Sequence, residues 1–217
     1  MKVLITGASS GIGRDIAREF AKLKYDIVLV ARNVERMEAL KTELEKEYNV
    51  KVNYHSVDLT NRENCINLYD KEKEIDILVN NAGLGDFGRF TETSLDKEFS
   101  IIDTDITALH ILTKLYLKDM KERNSGIILN VASIAGFLPG PLMATYYAAK
   151  NYVVRLSEAI KEELNKEKSK VQISILCPGP VKTNFNNVAN VKFELSSLSS
   201  EYVARYTVKK LLKGKFY

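Results

Sequence analysis

Six short apolar runs, each followed by a stretch with helical periodicity, leave this chain few ways to fold. The runs are Lys2–Thr6, Asp26–Ala31, Val50–Val57, Asp76–Asn80, Gly126–Ala132 and Val171–Cys177. Segments such as Ile27–Val30 and Ile127–Leu129 show no polar alternation, as strands do when both faces are covered. Ile12–Lys24, Val34–Tyr48, Glu63–Lys73, Leu95–Lys121, Ala144–Lys166 and Tyr202–Leu212 read as helices. In the second, Met37, Leu40 and Leu44 recur at spacings of three and four, one face of a helix. The alternation predicts an α/β fold: a doubly wound parallel sheet in a three-layer α/β/α arrangement.

A chain of 217 residues fits a single domain spanning 1–217 and buries a core without staples. The net charge of +4 comes from 32 basic and 28 acidic residues of alternating sign, an ordinary solvated surface. Only Lys209–Lys215 clusters basic residues, and no stripe of Lys and Arg with interleaved aromatics argues for nucleic acid. Cys65 and Cys177 are far apart, and His55 and His110 lack partners at ligand spacing. We therefore expect no metal site, no disulfide framework and a reducing compartment. No apolar run approaches the ~20 residues that cross a bilayer. The first strand begins at Lys2, which leaves no room for a leader, so the expected location is cytoplasmic.

The first strand runs straight into Thr6-Gly7-Ala8-Ser9-Ser10-Gly11-Ile12-Gly13. Glycines there let backbone approach a pyrophosphate closely, and the following helix offers free N–H groups and a partial positive charge. The spacing is Gly-x3-Gly-x-Gly, not the Gly-x-Gly-x2-Gly of the common dinucleotide fingerprint. Together with Asn80-Asn81-Ala82-Gly83 after the fourth strand and Pro178-Gly179-Pro180-Val181-Lys182-Thr183 after the sixth, it resembles the short-chain dehydrogenase/reductase family. These motifs occur in that family's order from residue 3 to about residue 183. The resemblance implies a Rossmann-like sheet ordered 3-2-1-4-5-6 and a nicotinamide dinucleotide. It assigns Thr6, Gly7, Ser9, Ser10, Gly11, Ile12, Gly13, Asn81, Ala82, Gly83, Pro178, Gly179, Val181 and Thr183 to cofactor binding. Asp58, with Leu59, falls beside the adenine.

A cofactor with a free ribose 2′-hydroxyl is usually held by a carboxylate about 20 residues past the glycine turn. Here that position reads Ala31-Arg32-Asn33. Arg32 offers a planar cation suited to a 2′-phosphate, which favours NADP(H) over NAD(H).

Tyr146 and Lys150 lie four apart on a helix and share a face. A fixed cation about 4 Å from a phenol contributes about 4 kcal/mol at an effective dielectric near 20, or ~3 units off a value near 10. The phenol is thus expected to titrate near 7, where acid/base catalysts work best. The spacing alone is uninformative, because Tyr69/Lys73 and Tyr206/Lys210 share it. Even the family's Ser-x12-Tyr-x3-Lys pattern occurs twice, at Ser133/Tyr146/Lys150 and at Ser56/Tyr69/Lys73. Topology separates the copies: Ser133 ends the fifth strand, on the nicotinamide side of the switch point, whereas Ser56 ends the third. The resemblance makes Tyr146 the proton donor and acceptor, Ser133 the hydrogen-bond donor to the substrate oxygen, and Lys150 the ribose ligand. Tyr147 points about 100° away and reads as packing.

Two departures from the family stand out. Asp105 occupies the place of an Asn that serves a proton relay, and a carboxylate there is expected to pair with Lys150 and alter the relay's pH response. It is the fourth expected member of the catalytic set. The chain also stops where the family continues with a seventh strand and a tail. The loop at about 180–200 reads as a substrate lid. Leu84–Phe90, Phe137–Met143 and Phe185–Phe193 are expected to line a largely apolar pocket for a small carbonyl or alcohol. The resemblance implies a homodimer or homotetramer formed through the helices at 95–121 and 144–166. The competing readings are a non-catalytic NADP(H) sensor or scaffold and a reductase of carrier- or sugar-linked carbonyls, the latter with Arg89, Lys182 and Lys192 nearby.

Overall fold

The computed structural model describes residues 1–185, 189 and 197–217. Six strands, β1 (Lys2–Thr6), β2 (Asp26–Ala31), β3 (Val52–Ser56), β4 (Ile77–Asn80), β5 (Ile127–Val131) and β6 (Gln172–Leu176), form one parallel sheet ordered β3-β2-β1-β4-β5-β6. Helices α1 (Gly11–Lys22), α2 (Val34–Tyr48), α3 (Arg62–Lys71), α4 (Leu95–Ile101), α5 (Leu109–Glu122), α6 (Ala144–Lys166) and α7 (Ser200–Leu211) cover it.

Side-chain alternation along the strands builds two cores. Val3, Ile5, Ile27 and Leu29 pack with Ile16 and Phe20 of α1, Met37 and Leu44 of α2, and Ala204 and Val208 of α7. Leu4, Val28, Leu78 and Ile128 pack on the opposite face with Leu68 of α3, Leu112, Tyr116 and Met120 of α5, and Leu164 of α6. Both faces of the sheet are therefore buried, which is why its strands carry no polar alternation. The strand order reverses between β1 and β4, and a crevice opens there beyond the carboxyl ends of the strands.

The helix expected over Leu95–Lys121 is not continuous. α4 passes at Ile102 into a π-helical segment, Ile102–Ala108, before α5 begins. The wider turn buries two successive polar residues, Thr104 and Asp105, against the site. Hydrophobic spacing cannot reveal such a bulge, because the apolar stripe resumes on the far side of it.

The segment expected as an unstructured lid begins and ends in a short parallel pair, β7 (Val181–Lys182) with β8 (Leu198–Ser199). The parts of the expected lid at 186–188 and 190–196, with Lys192 and Phe193, lie outside the described residues. At the other end, Gly214 turns the chain with φ of +69°. The Phe216 carbonyl then accepts from the Ile175 N–H at 2.7 Å, so the end of the chain pairs along β6. No helix among the described residues is long and apolar enough to cross a membrane.

Candidate active site

The glycine turn forms one wall of the crevice. Gly7 and Gly11 hold φ of +64° and +54°, a region costly for a side chain. A Cβ on Gly13 would sit 2.6 Å from the Gly7 carbonyl, so the turn can close onto α1 only with glycine there. Ser10 is the N-cap of α1, yet its side chain makes no capping hydrogen bond. The first N–H groups of the helix are thus left for a ligand, and they favour an anion. The donor set fits a pyrophosphate.

Two of the residues expected on the cofactor stand behind this wall. Thr6 is buried. Its hydroxyl accepts from the N–H groups of Asn81 at 2.9 Å and Ala82 at 3.0 Å, tying β1 to the end of β4. Gly13 likewise shapes the turn without lining the crevice. Asn81 does line it but spends its amide on the Thr6 carbonyl, 2.9 Å away. Gly7, Ser9, Ser10, Gly11, Ile12, Ala82, Gly83, Pro178, Gly179, Val181 and Thr183 face the crevice as expected.

On the β2–β3 side, Arg32, Asp58 and Leu59 also line it. Sequence reasoning overlooked Arg36, one turn into α2, which lines the same end; its spacing of four from Arg32 was the available signal. Asn33 caps α2 by accepting from the Arg36 N–H at 2.8 Å, which fixes the first turn of the helix that carries Arg36. Asp58 accepts from the Thr60 N–H at 3.1 Å, and this bond with the Thr60 hydroxyl holds its carboxyl below the usual range.

Ser133, Tyr146 and Lys150 converge at the far end. Ser133 lies two residues past β5, its hydroxyl accepts from the Ala135 N–H at 3.1 Å, and it faces the Tyr146 phenol. All three Tyr-x3-Lys pairs place the ammonium 5.2–5.6 Å from the ring centre, so helical spacing does not tell them apart. Surroundings do. Tyr69 donates to Asp119 at 2.7 Å and Lys73 pairs with Asp70 at 3.2 Å, away from the crevice. Only the pair at 146 and 150 lines it.

The expected acidification of Tyr146 does not emerge. Burial pushes the phenol above its ordinary value; Lys150 and the Ser133 hydrogen bond oppose this only in part, and Asp105 adds to it. Lys150 is not a lone cation: its Nζ lies 2.9 Å from Asp105 Oδ2. The two side chains are 5% and 0% exposed, and Asp105 sits behind Lys150, outside the crevice lining. Asp105 therefore touches the lysine rather than the crevice.

Of the residues expected at the apolar end, only part falls on the crevice, and those at 186–188 and 190–193 lie outside the described residues. Leu84, Met143, Tyr147 and Phe185 line it. Phe137–Pro141 line a separate shallow depression on the outer side of Tyr147, and Phe90 is exposed. The Phe185 ring leans on Tyr146 with centres 5.2 Å apart, and its edge approaches Gly85, where a Cβ would lie 2.7 Å from it.

The model of the short chain dehydrogenase family matches residues 1–192, and the chain belongs to that family of oxidoreductases. It is 34% identical over 206 residues to human 17-beta-hydroxysteroid dehydrogenase type 3, covering 92% of this chain and 65% of the human protein's length. Its backbone superimposes on a short-chain dehydrogenase from Sphingobium yanoikuyae in complex with NADPH with a TM-score of 0.93 at 30% identity, over 99% of this chain and 85% of the other. A short chain dehydrogenase/reductase from Burkholderia phymatum in complex with NAD superimposes with a TM-score of 0.91 at 25% identity, over 100% and 87%.

Proposed function

We propose that this protein moves a hydride between NADP(H) and a small apolar ketone or secondary alcohol, with Tyr146 handling the proton. The observation that carries this reading is the convergence of Ser133, Tyr146 and Lys150 on a crevice whose other end is the open N-terminus of α1. The cofactor supplies the hydride to the carbonyl carbon. Ser133 orients the carbonyl oxygen. Tyr146 gives that oxygen its proton, and the ordinary neutral form of a buried phenol suits it to donate. Lys150 holds the ribose and steadies the phenolate left behind. Solved relatives hold NADPH and NAD, so the choice of NADP(H) rests on Arg32 and Arg36 and on the lack of a carboxylate in the turn Ala31-Arg32-Asn33 that follows β2. A homodimer or homotetramer is proposed on the family resemblance alone.

The test is oxidation of NADPH in the presence of a panel of ketones. No oxidation with any of them would overturn the reading, and cofactor binding without turnover would favour a sensor. In the Arg32→Ala/Arg36→Ala protein, NADPH should bind about 10- to 100-fold more weakly, the loss expected for hydrogen bonds to a charged group. NADH affinity should barely change; an equal loss for both cofactors would remove the 2′-phosphate assignment.

Phe185 sets the room left beside Tyr146. Phe185→Ala should raise kcat/KM for ketones with two bulky substituents relative to acetone-sized ones. An unchanged ratio would show that this ring does not border the substrate.

A further inference from the structure

The Asp105–Lys150 pair is the most deeply buried ion pair among the described residues. Five pieces of the fold meet there. The Lys150 Nζ donates to the Val131 carbonyl at the end of β5, 3.2 Å away. Asp105 Oδ1 accepts from the Leu84 N–H at 2.7 Å, just past β4. Gly83 makes room for the pair, since a Cβ there would lie 3.0 Å from Asp105 Oδ2 and 3.2 Å from Lys150 Nζ. Tyr146 comes from α6, on the Lys150 side, with Ser133 bonded to it and Tyr147 edge-on at 6.1 Å. Cys177, after β6, is the remaining titratable group facing Lys150, and burial pushes its thiol up to about 11, so it adds no charge near neutrality.

We propose that Asp105 is a positioning residue that sets the pH range of this site: its carboxylate pins the Lys150 ammonium from behind and offsets part of its charge, so that Tyr146 releases its proton in more alkaline solution than beside an unpaired lysine. This rests on Tyr146 being the proton donor and acceptor. An isolated ammonium favours a nearby phenolate. A carboxylate in contact with the ammonium acts on the phenol with the opposite sign and so weakens the net pull of the lysine. The same carboxylate fixes Lys150 before any ligand arrives, so the lysine needs no ribose to order it. The π-helical segment has a use here: it brings Asp105 through the wall at the level of Lys150.

The test is the pH profile of kcat/KM for a secondary alcohol with NADP+, compared between the wild type and Asp105→Asn. The acidic limb should move to lower pH by about one unit or more, the order expected when a unit charge a few ångströms from a titrating group is removed. An unmoved limb, or one that moves to higher pH, overturns the proposal; a residue that merely fills space would leave it in place. Should Asp105→Asn fail to fold, ultraviolet titration of the wild type against Tyr146→Phe serves instead. The difference isolates one phenol, which should ionise above the ordinary value of about 10. Ionisation below that value overturns the proposal. This measurement needs no turnover, so a protein that reduced no ketone would refute the enzymatic reading while the charge arrangement was still decided.

Discussion

Tyr146→Phe is expected to lower kcat for ketone reduction by about 10²- to 10⁴-fold, the usual contribution of a positioned acid or base. The change removes one oxygen from a side chain otherwise held by Phe185 on one side and Tyr147 on the other. The fold and the glycine turn, on the other side of the crevice, should be untouched. NADPH affinity, measured by fluorescence titration, should therefore stay within a few-fold of the wild type. Tyr69→Phe is the matched control. That residue has the same Ser-x12-Tyr-x3-Lys spacing but bonds Asp119 on α5, and its loss should leave turnover intact. Near-normal kcat in Tyr146→Phe would remove the phenol from the chemistry.

Lys150→Met is expected to cost about 3–5 kcal/mol of folding stability, because it leaves Asp105 buried without its counter-ion. Chemical denaturation read as a shift in midpoint at constant slope measures it. The sign of the pH dependence is fixed by burial, which already raises the Asp105 carboxyl above its ordinary value with the lysine present. Without Lys150 the raised value rises further. As pH falls through it, the folded state takes up a proton that the unfolded chain does not, so the variant should regain stability in mildly acidic solution. The double variant Asp105→Asn/Lys150→Met should recover much of the loss at neutral pH, since replacing both members of a buried pair is far cheaper than removing one. Equal stability of Lys150→Met and the wild type would mean that the pair is solvated in solution.

The strands and the glycine turn were legible because each rests on local patterns, whereas the sheet order and the residues expected around the crevice came with the family resemblance. Apolar runs without alternation report strands buried on both faces. Glycines at a strand–helix junction report a close approach of backbone. The seat of Thr6 and Gly13 behind the wall was not legible, since a motif names residues without saying which face the ligand and which build the turn. Arg36 was missed for the opposite reason: an arginine on a helix surface looks like any other until the crevice is seen beside it. The apolar link Phe137–Pro141 faces outward because Tyr147 packs against Gly140, a contact set by the turn into α6.

By itself, the sequence determined that this chain forms a doubly wound sheet with a dinucleotide-shaped turn and that Tyr146, Lys150 and Ser133 lie across the switch point from it. The sheet and the turn follow from periodicity and spacing, which are properties of neighbours along the chain, and the place of the three residues follows from the motif order that the chain shares with its family. Only the tertiary structure decided the electrostatics of the site. A phenol's acidity depends on every charge and every missing water around it, and the residues responsible, Asp105 and Lys150, are brought to 2.9 Å by a π-helical segment and a glycine distant in sequence. Desolvation acts through three-dimensional burial, so no reading along the chain could weigh it against the pull of one lysine.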